Sequence, residues 1–481
     1  MKATFTWLLV AASTICAAQT DLTNDFKKIN DNVIQKFAGY SNLKKSTETI
    51  GHRLTGSENG AKAEKEAYDL FKSYGLEVEY QPFEVESWAR KTIQVKIGDG
   101  LNALKDVKAV TLAHSPVSAS IKGEIVDMGN GLEVDYKAKP GAVKGKIALI
   151  YLGVLPGSPQ GTGSLHRSEK TALAIQNGAI GVLIINTVKN GVLLTGTASV
   201  TGKVITIPAV CISLEEGIAL KEKLKTAPQF SSIDMTNFSG LIKARNVIAT
   251  IKGSKYPEEK IVVGGHLDSW DLSTGAIDNG IGSFAIIDMA RAIKETGVKP
   301  ERTIQFVMFM GEEQGLLGSK AFVNEAIRNG KIDQIKYMLN FDMTSNPRGF
   351  STTRKEMEST FKSWGAMVQS FEPEFQNLFS SGAGLHSDHQ PFMLLGIPTG
   401  GGAGGSLPNG AGQYYHSDRD SFALVDEAGM RNTARYGAIL AFGLASLDKV
   451  PVQRMNDVQL KQFLIDNRLQ TPLTISGEWR W

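Results

Sequence analysis

The segment GGHLDSWDLSTGAIDNG, residues 264–280, places one of only seven histidines in an H-x-D triplet and follows it with an acid-bearing turn. It contributes His266, Asp268 and Asp278. Further along, Glu312 and Glu313 close the apolar run TIQFVMFMG, Asp342 closes YMLNF, and His416 stands in QYYHSDRDS. Singly, each has an ordinary reading. A histidine at a strand end is a satisfied polar group, the aspartate of D-N-G a turn or N-cap residue, and paired glutamates a solvated helix start. Jointly they suggest a metal centre, because imidazole nitrogen and carboxylate oxygen are donors that zinc favours, and a catalytic site keeps a position for water. One histidine and one acid per ion, with a further acid shared, would hold two ions able to activate water and polarise a carbonyl. The adjacent glutamates can divide the work, one binding metal and the other facing the water as general base, a role helped by a raised pKa. Asp268 could reach the remaining ring nitrogen of His266 and fix its tautomer.

These residues must be brought together by the elements that carry them. Beyond Ala244, the strand-length apolar runs NVIATI, KIVVGGH, TIQFVMFM and YMLNFDM alternate with the helix-like stretches GSFAIIDMARAIKE and GLLGSKAFVNEAI. That alternation predicts an α/β domain with a mostly parallel sheet covered by helices on both faces. In such sheets ligands bind outside the carboxyl ends of the strands. His266 with Asp268, Glu312 with Glu313, and Asp342 each end a strand, so the pattern gathers them on one rim. Residues 21–75 read as largely helical, with Ser57 and Asn59 as capping residues, Ala63, Ala67, Leu70 and Phe71 on one face, and Gly75 as the stop. LEVEYQPFEV then alternates as a strand. Between about 115 and 240, GEIVDMG, GKIALIYLG, GVLIIN and IPAVCISL read as strands of an inserted β-rich domain, with EKTALAIQNGA as a helix among them. The glycine-rich GIPTGGGAGGSLPNGAG reads as a flexible loop rather than a phosphate loop, since no Lys-Ser/Thr pair follows it.

Composition narrows the function classes. The 481 residues are 42% hydrophobic and 21% charged, with a net charge of +3. This is globular composition without a basic stripe for nucleic acid or a polybasic membrane patch. The N-terminus carries Lys2, an apolar run from Phe5 to Cys16 too short to span a bilayer, and small residues before Gln19. It reads as a secretory signal peptide cleaved after Ala18, giving a secreted or periplasmic protein. Cys211 would then be the lone cysteine, and its apolar setting predicts a buried small hydrophobe.

The motifs GGHLDSWD, AIDNG, GEEQGLLGS, NFDM, SDHQPF and YYHSDRDS together resemble the ordered motifs of the secreted di-zinc exopeptidases of the aminopeptidase Y and glutamate carboxypeptidase type. The H-L-D-S-W-D form is most similar to the carboxypeptidase Q group. GKIALIYLG and GAIGVLIIN resemble the protease-associated domain inserted in many members, and TIGHRLTGSENGAKAEKEAYDLF their helical lead-in. The resemblance covers nearly all of the mature chain except the tail after about Val450. It implies a three-layer zinc exopeptidase fold with this division: signal peptide 1–18, peptidase domain 19–114 and 241–450, protease-associated insertion 115–240, and tail 451–481. It implies two Zn2+ per chain, with His266 and Asp342 on one, Glu313 and His416 on the other, and Asp278 bridging them. Glu312 would be the general base and Asp268 the orienting acid. Tyr415 would either help stabilise an oxyanion or serve as a packed aromatic. His386 stands near where some aminopeptidases place a basic substrate contact; it and His389 also read as loop histidines. The implied activity is hydrolysis at the N-terminus of peptides or in dipeptides, with a carboxypeptidase as the alternative. Peptides would be the substrates, and a homodimer the assembly. A non-catalytic binding ectodomain of the same fold is a third reading, against which the retained Glu312 speaks.

Overall fold

The computed structural model describes residues 22–481. The expected signal peptide and its cleavage after Ala18 lie outside the described residues. Helices over 22–36, Gly39–Thr49 and Glu58–Ser73 form the lead-in. Ser57 caps the third by accepting a hydrogen bond from the Gly60 N–H, and Ala63, Ala67 and Phe71 make its buried stripe, four residues apart as one helix face requires. Gly75, at φ +73°, takes the left-handed conformation that turns the chain into the next strand.

Two strands of 22 residues, Glu77–Gly98 and Phe230–Ile251, run antiparallel along their whole length and form the spine of the molecule. The end of Phe230–Ile251 pairs with Arg302–Phe309 in the C-terminal half, and its beginning pairs with Ser118–Asp127 in the inserted half. One continuous backbone thus carries both halves.

In the C-terminal half, Thr399–Ala403, Ile335–Asn340, Tyr256–His266 and Arg302–Phe309 lie side by side and parallel. Antiparallel neighbours flank them, Gly349–Thr352 on one side and Phe230–Ile251 on the other. Every residue of Arg302–Phe309 is buried, as expected of a strand covered on both faces. Alternate side chains enter opposite cores: Ile261, Val263, Ile304 and Phe306 face the helices Ile281–Thr296 and Glu427–Ala445, while Val262, Val307 and Phe309 face Leu317–Arg328. The mostly parallel, two-faced sheet is the one the alternating pattern predicts. Register brings His266 opposite Phe309 and Gly264 opposite Asn340. The carboxyl ends of all three strands therefore share one rim.

The inserted half continues this sheet and has its own cores. Ser118–Asp127, Ile147–Tyr151, Gly181–Ile185 and Ala209–Ile212 are mutually parallel, with helix Arg167–Gln176 between the second and third in sequence. Cys211 is buried there as a free thiol, which burial pushes up to about 12. The chain after Val450 forms helices Asp457–Asp466 and Gln470–Ser476. No helix among the described residues is long and apolar enough to cross a membrane.

The glycine-rich segment departs from its expectation. Instead of a flexible loop, Thr399–Ala403 is a strand inside the sheet. Its neighbours approach so closely that a Cβ on Gly400 would stand 2.3 Å from the Ser351 carbonyl oxygen, and one on Gly401 would stand 2.6 Å from that of Asn340. Here glycine permits close backbone approach rather than mobility. Gly400→Ala is expected to cost about 1–3 kcal/mol through overpacking, read as a lowered urea midpoint. An unchanged midpoint would show that the strand can shift to admit a methyl.

Candidate metal centre

Three strand ends and two loops converge at the rim. His266 ends Tyr256–His266, and Asp342 follows Ile335–Asn340. Glu312 and Glu313 follow Arg302–Phe309. Asp278 lies in the turn before helix Ile281–Thr296, and His416 follows the segment Pro408–Tyr414. The His266 Nε2 is 3.1 Å from Asp278 Oδ1 and 3.4 Å from Asp342 Oδ1. The His416 Nε2 is 2.9 Å from Asp278 Oδ2 and 2.8 Å from Glu313 Oε2. Each oxygen of Asp278 thus addresses a different imidazole. The result is two adjoining donor sets, His266 with Asp342 and His416 with Glu313, sharing one carboxylate. His266, Asp278 and Glu313 offer ligand atoms within 4.8 Å of one another and are all buried. The Glu313 Oε1 atom is buried without a hydrogen-bond partner. Buried carboxylate oxygen left unsatisfied beside imidazole nitrogen is what a divalent cation would satisfy, so the residues present fit a metal.

A second layer of contacts fixes these donors. Asp420 accepts hydrogen bonds from the backbone N–H groups of Ile277 at 2.7 Å and Asp278 at 3.0 Å, which holds the bridging loop. Asn279 donates to the carbonyls of His266 and Phe341. The Ser387 hydroxyl donates to Asp342 Oδ2 at 2.7 Å. The His266 Nδ1 is 3.0 Å from the backbone carbonyl of Asp268, while the Asp268 carboxylate stands 3.8 Å away. The backbone, rather than the side chain, makes the close contact to the ring. The Asp268 carboxylate instead accepts from the Glu312 N–H at 3.2 Å, tying the first strand end to the second.

The electrostatics follow from crowding acids in a dry place. Burial raises Glu312 well above the usual carboxylate range, and Glu313, Asp342 and Asp388 add to the effect. Burial pushes Glu313 up to about 7, and Asp388 likewise to about 7. Asp278 is the exception. Burial works against its charge, but hydrogen bonds from His266 and His416 hold it below the usual range. Burial also opposes charging of both imidazoles, yet the surrounding acids hold His266 and His416 well above their ordinary value. A site built this way binds positive charge.

The same cleft is lined by Glu312, Tyr415 and His386, and by residues of the inserted half. The Arg167 guanidinium donates to the Tyr415 hydroxyl at 2.7 Å and lies 3.0 Å from His416 Nδ1. The Tyr415 ring stacks on that of His416, with centroids 3.9 Å apart. His386 stacks on His166 at 4.3 Å, and its Nε2 is 3.3 Å from Glu169 Oε1. His389 turns away and contacts the Gly384 carbonyl at 3.1 Å. Of the candidate site residues, the structure therefore gathers all but His389.

Sequence reasoning missed Arg167, Asp388 and Asp420. The last two lie in SDHQPF and YYHSDRDS, where the histidines and Tyr415 drew notice. Arg167 carries no local signal, because its role depends on docking of the inserted half.

Known proteins resemble the chain over most of its length. Residues 246–440 match the model of peptidase family M28, and residues 121–220 match the PA domain. Carboxypeptidase Q of Xenopus laevis is 26% identical over 427 residues, 85% of this chain and 86% of that one. The probable leucine aminopeptidase 2 of Aspergillus fumigatus is 27% identical over 444 residues, 85% of this chain and 83% of that one. The crystal structure of a peptidase M28 precursor from Shewanella amazonensis superposes with a TM-score of 0.77 at 24% identity, covering 91% of this chain and 99% of that one.

Asp278 serves both donor sets, whereas Asp342 serves one. Asp278→Ala is therefore expected to lower bound metal further than Asp342→Ala, measured by elemental analysis of the purified variants. Equal losses would remove the shared role from Asp278. Acid should also strip the metal, because protons compete for two imidazoles held above their ordinary value. Affinity, followed with a chelating indicator, is expected to fall by about tenfold or more between pH 7 and pH 5, and a flat profile would contradict histidine ligation.

Proposed function

Because the chain belongs to peptidase family M28 and carries a PA domain, we propose that it is a di-zinc exopeptidase that removes N-terminal residues from peptides or splits dipeptides, acting outside the cytoplasm. The observation that carries this reading is the shared carboxylate: Asp278 presents Oδ1 to His266 and Oδ2 to His416. Two zinc ions held by these donors would act as Lewis acids on the attacking water and the scissile carbonyl.

The remaining work falls to the chain. Glu312 opens onto the cleft beside the donor sets. As general base it takes the proton of the attacking water and passes it to the leaving amine. Burial holds its carboxyl above the usual carboxylate range, the direction that favours proton uptake by a general base. Asp268 positions Glu312 through the backbone N–H and stands behind His266. Tyr415 accepts from Arg167 and keeps its own hydroxyl proton for the developing oxyanion.

One observation favours a second reading, a carboxypeptidase. Arg167 is 4% exposed and lines the cleft, and no ion pair is seen for it among the described residues. A buried cation of this kind can anchor a substrate carboxylate. Digestion of a free-ended tetrapeptide by the metal-loaded protein, followed over time by mass spectrometry with a chelated control, separates the two. Shortening from the N-terminus supports the aminopeptidase reading; shortening from the C-terminus replaces it with the carboxypeptidase.

Glu312→Gln is expected to retain metal and lose about 10²–10⁴-fold in kcat, the usual contribution of a positioned general base. Turnover within a few-fold of the unaltered protein would remove Glu312 from that role.

A further inference from the structure

The lead-in segment TIGHRLTGSENG, residues 49–60, lies outside both family matches, yet it sends one side chain behind the metal centre. Arg53 is 0% exposed, and no ion pair is seen for it among the described residues. Its guanidinium donates instead to three backbone carbonyls: Nε to Leu267 at 2.6 Å, Nη1 to Thr274 at 2.8 Å and Nη2 to Gly275 at 2.8 Å. The Arg53 backbone N–H donates to Ser269 Oγ at 2.9 Å. All four acceptors belong to the loop between His266 and Asp278. Leu267 directly follows the first donor, and Gly275 stands just before the turn that carries the shared one. One planar cation thus clasps both ends of the loop. Those ends matter, because His266 Nε2 and Asp278 Oδ1 meet across them at 3.1 Å.

The segment that holds Arg53 is anchored in turn. Ser57 caps the helix that follows it, and Asn59 Nδ2 donates to the Ile50 carbonyl at 2.7 Å. The Thr55 carbonyl accepts from Ser87 Oγ and from Gln314 Nε2, each at 3.0 Å. Gln314 is the residue after Glu313, so the lead-in is bonded to the second strand end as well as to the loop after the first. The charge of Arg53 does not explain its place. Burying a guanidinium with no carboxylate in contact is costly. The acids that offset it, Asp420, Asp268, Glu66 and Asp278, act from farther off, and a fixed positive charge by itself opposes a metal cation nearby. What the site gains is the rigid fork of donors, which no other side chain offers.

We propose that Arg53 is a positioning residue for the metal centre: by clasping the loop between His266 and Asp278 it sets the separation of these two donors before an ion binds. This rests on the metal reading of the site and adds to it the residue that preorganises the site. Without the guanidinium, three carbonyls lose their donor and the two ends of the loop are free to spread. An arriving ion would then have to order the loop itself, and binding would weaken.

The test titrates the metal-free full chain with zinc against a chelating indicator, beside Arg53→Met, Arg53→Lys and the control Arg354→Met. Arg354 is likewise a buried arginine that donates to a backbone carbonyl, that of Gly396, but it does not line the metal cleft. Circular dichroism and the thermal midpoint of each metal-free variant establish folding. Arg53→Met is expected to weaken zinc binding by about 10–100-fold, the usual effect of losing a group that orients metal ligands. It should also shrink the rise in thermal midpoint that a fixed zinc concentration gives the unaltered chain. Arg53→Lys keeps the charge but has a single nitrogen, which cannot hold both ends of the loop, so it should lose almost as much. Arg354→Met should lower the midpoint of the metal-free and loaded forms alike and bind zinc as the unaltered chain does. If Arg53→Met does not fold, Arg53→Lys decides. The proposal is overturned if folded Arg53 variants bind zinc within a few-fold of the unaltered chain, or if Arg354→Met loses as much affinity. It is equally overturned if Arg53→Met binds zinc more tightly or Arg53→Lys binds it normally, since charge rather than the clasp would then govern. Failure of the unaltered chain to bind zinc would instead overturn the metal reading on which the proposal stands.

Discussion

Two buried imidazoles share one carboxylate, and much of the structure serves to keep them there. Asp268, Asp278, Glu313 and Asp388 are all buried around His266 and His416, with Glu312 and Asp342 beside them. Burying this much negative charge without compensation is costly, and the acids show it. Glu313 and Asp388 are pushed up to about 7, and Glu312 rises well above its ordinary range. Asp278 escapes because each of its oxygens meets a histidine. The arrangement persists because it is built on the ends of three adjacent parallel strands, which cannot drift apart without breaking the sheet. Asp420, Asn279 and Ser387 then restrain the loops between them.

The inserted half is part of this centre rather than an appendage. The two 22-residue strands pass from one half to the other without interruption, so the halves are joined along a hydrogen-bonded spine. At the cleft, Arg167 meets both Tyr415 and His416, and the Thr195 N–H donates to the His416 carbonyl. His416 follows a long irregular segment and is held from the inserted side. Gly196 has no side chain because the Arg167 guanidinium fills the space where a Cβ would stand.

The legibility of the site in the sequence follows from how local its causes are. His266, Glu312, Glu313 and Asp342 could be read because each ends an apolar run of strand length, and parallel strands direct their carboxyl ends to one rim. Asp278 and His416 were legible as motif positions, through resemblance. What could not be read depends on contacts between segments far apart in sequence. Arg167 acts only when the two halves dock. The role of Asp420 is to accept from Ile277 and Asp278, and nothing near it announces that. The glycines at 400–402 look like a loop locally, and become a strand because Ser351 and Asn340 close in on either side. The tail offered no motif, yet a reversal at Gly477 places Glu478 in the cleft.

We propose that Asp278 would be shared between two zinc ions. Anomalous scattering at the zinc edge, from crystals of the metal-loaded protein, tests it most directly. Two peaks about 3.5–4 Å apart, one beside Oδ1 of Asp278 with His266 and Asp342, the other beside Oδ2 with His416 and Glu313, are the predicted result. A single peak, or two peaks without Asp278 between them, would contradict the account.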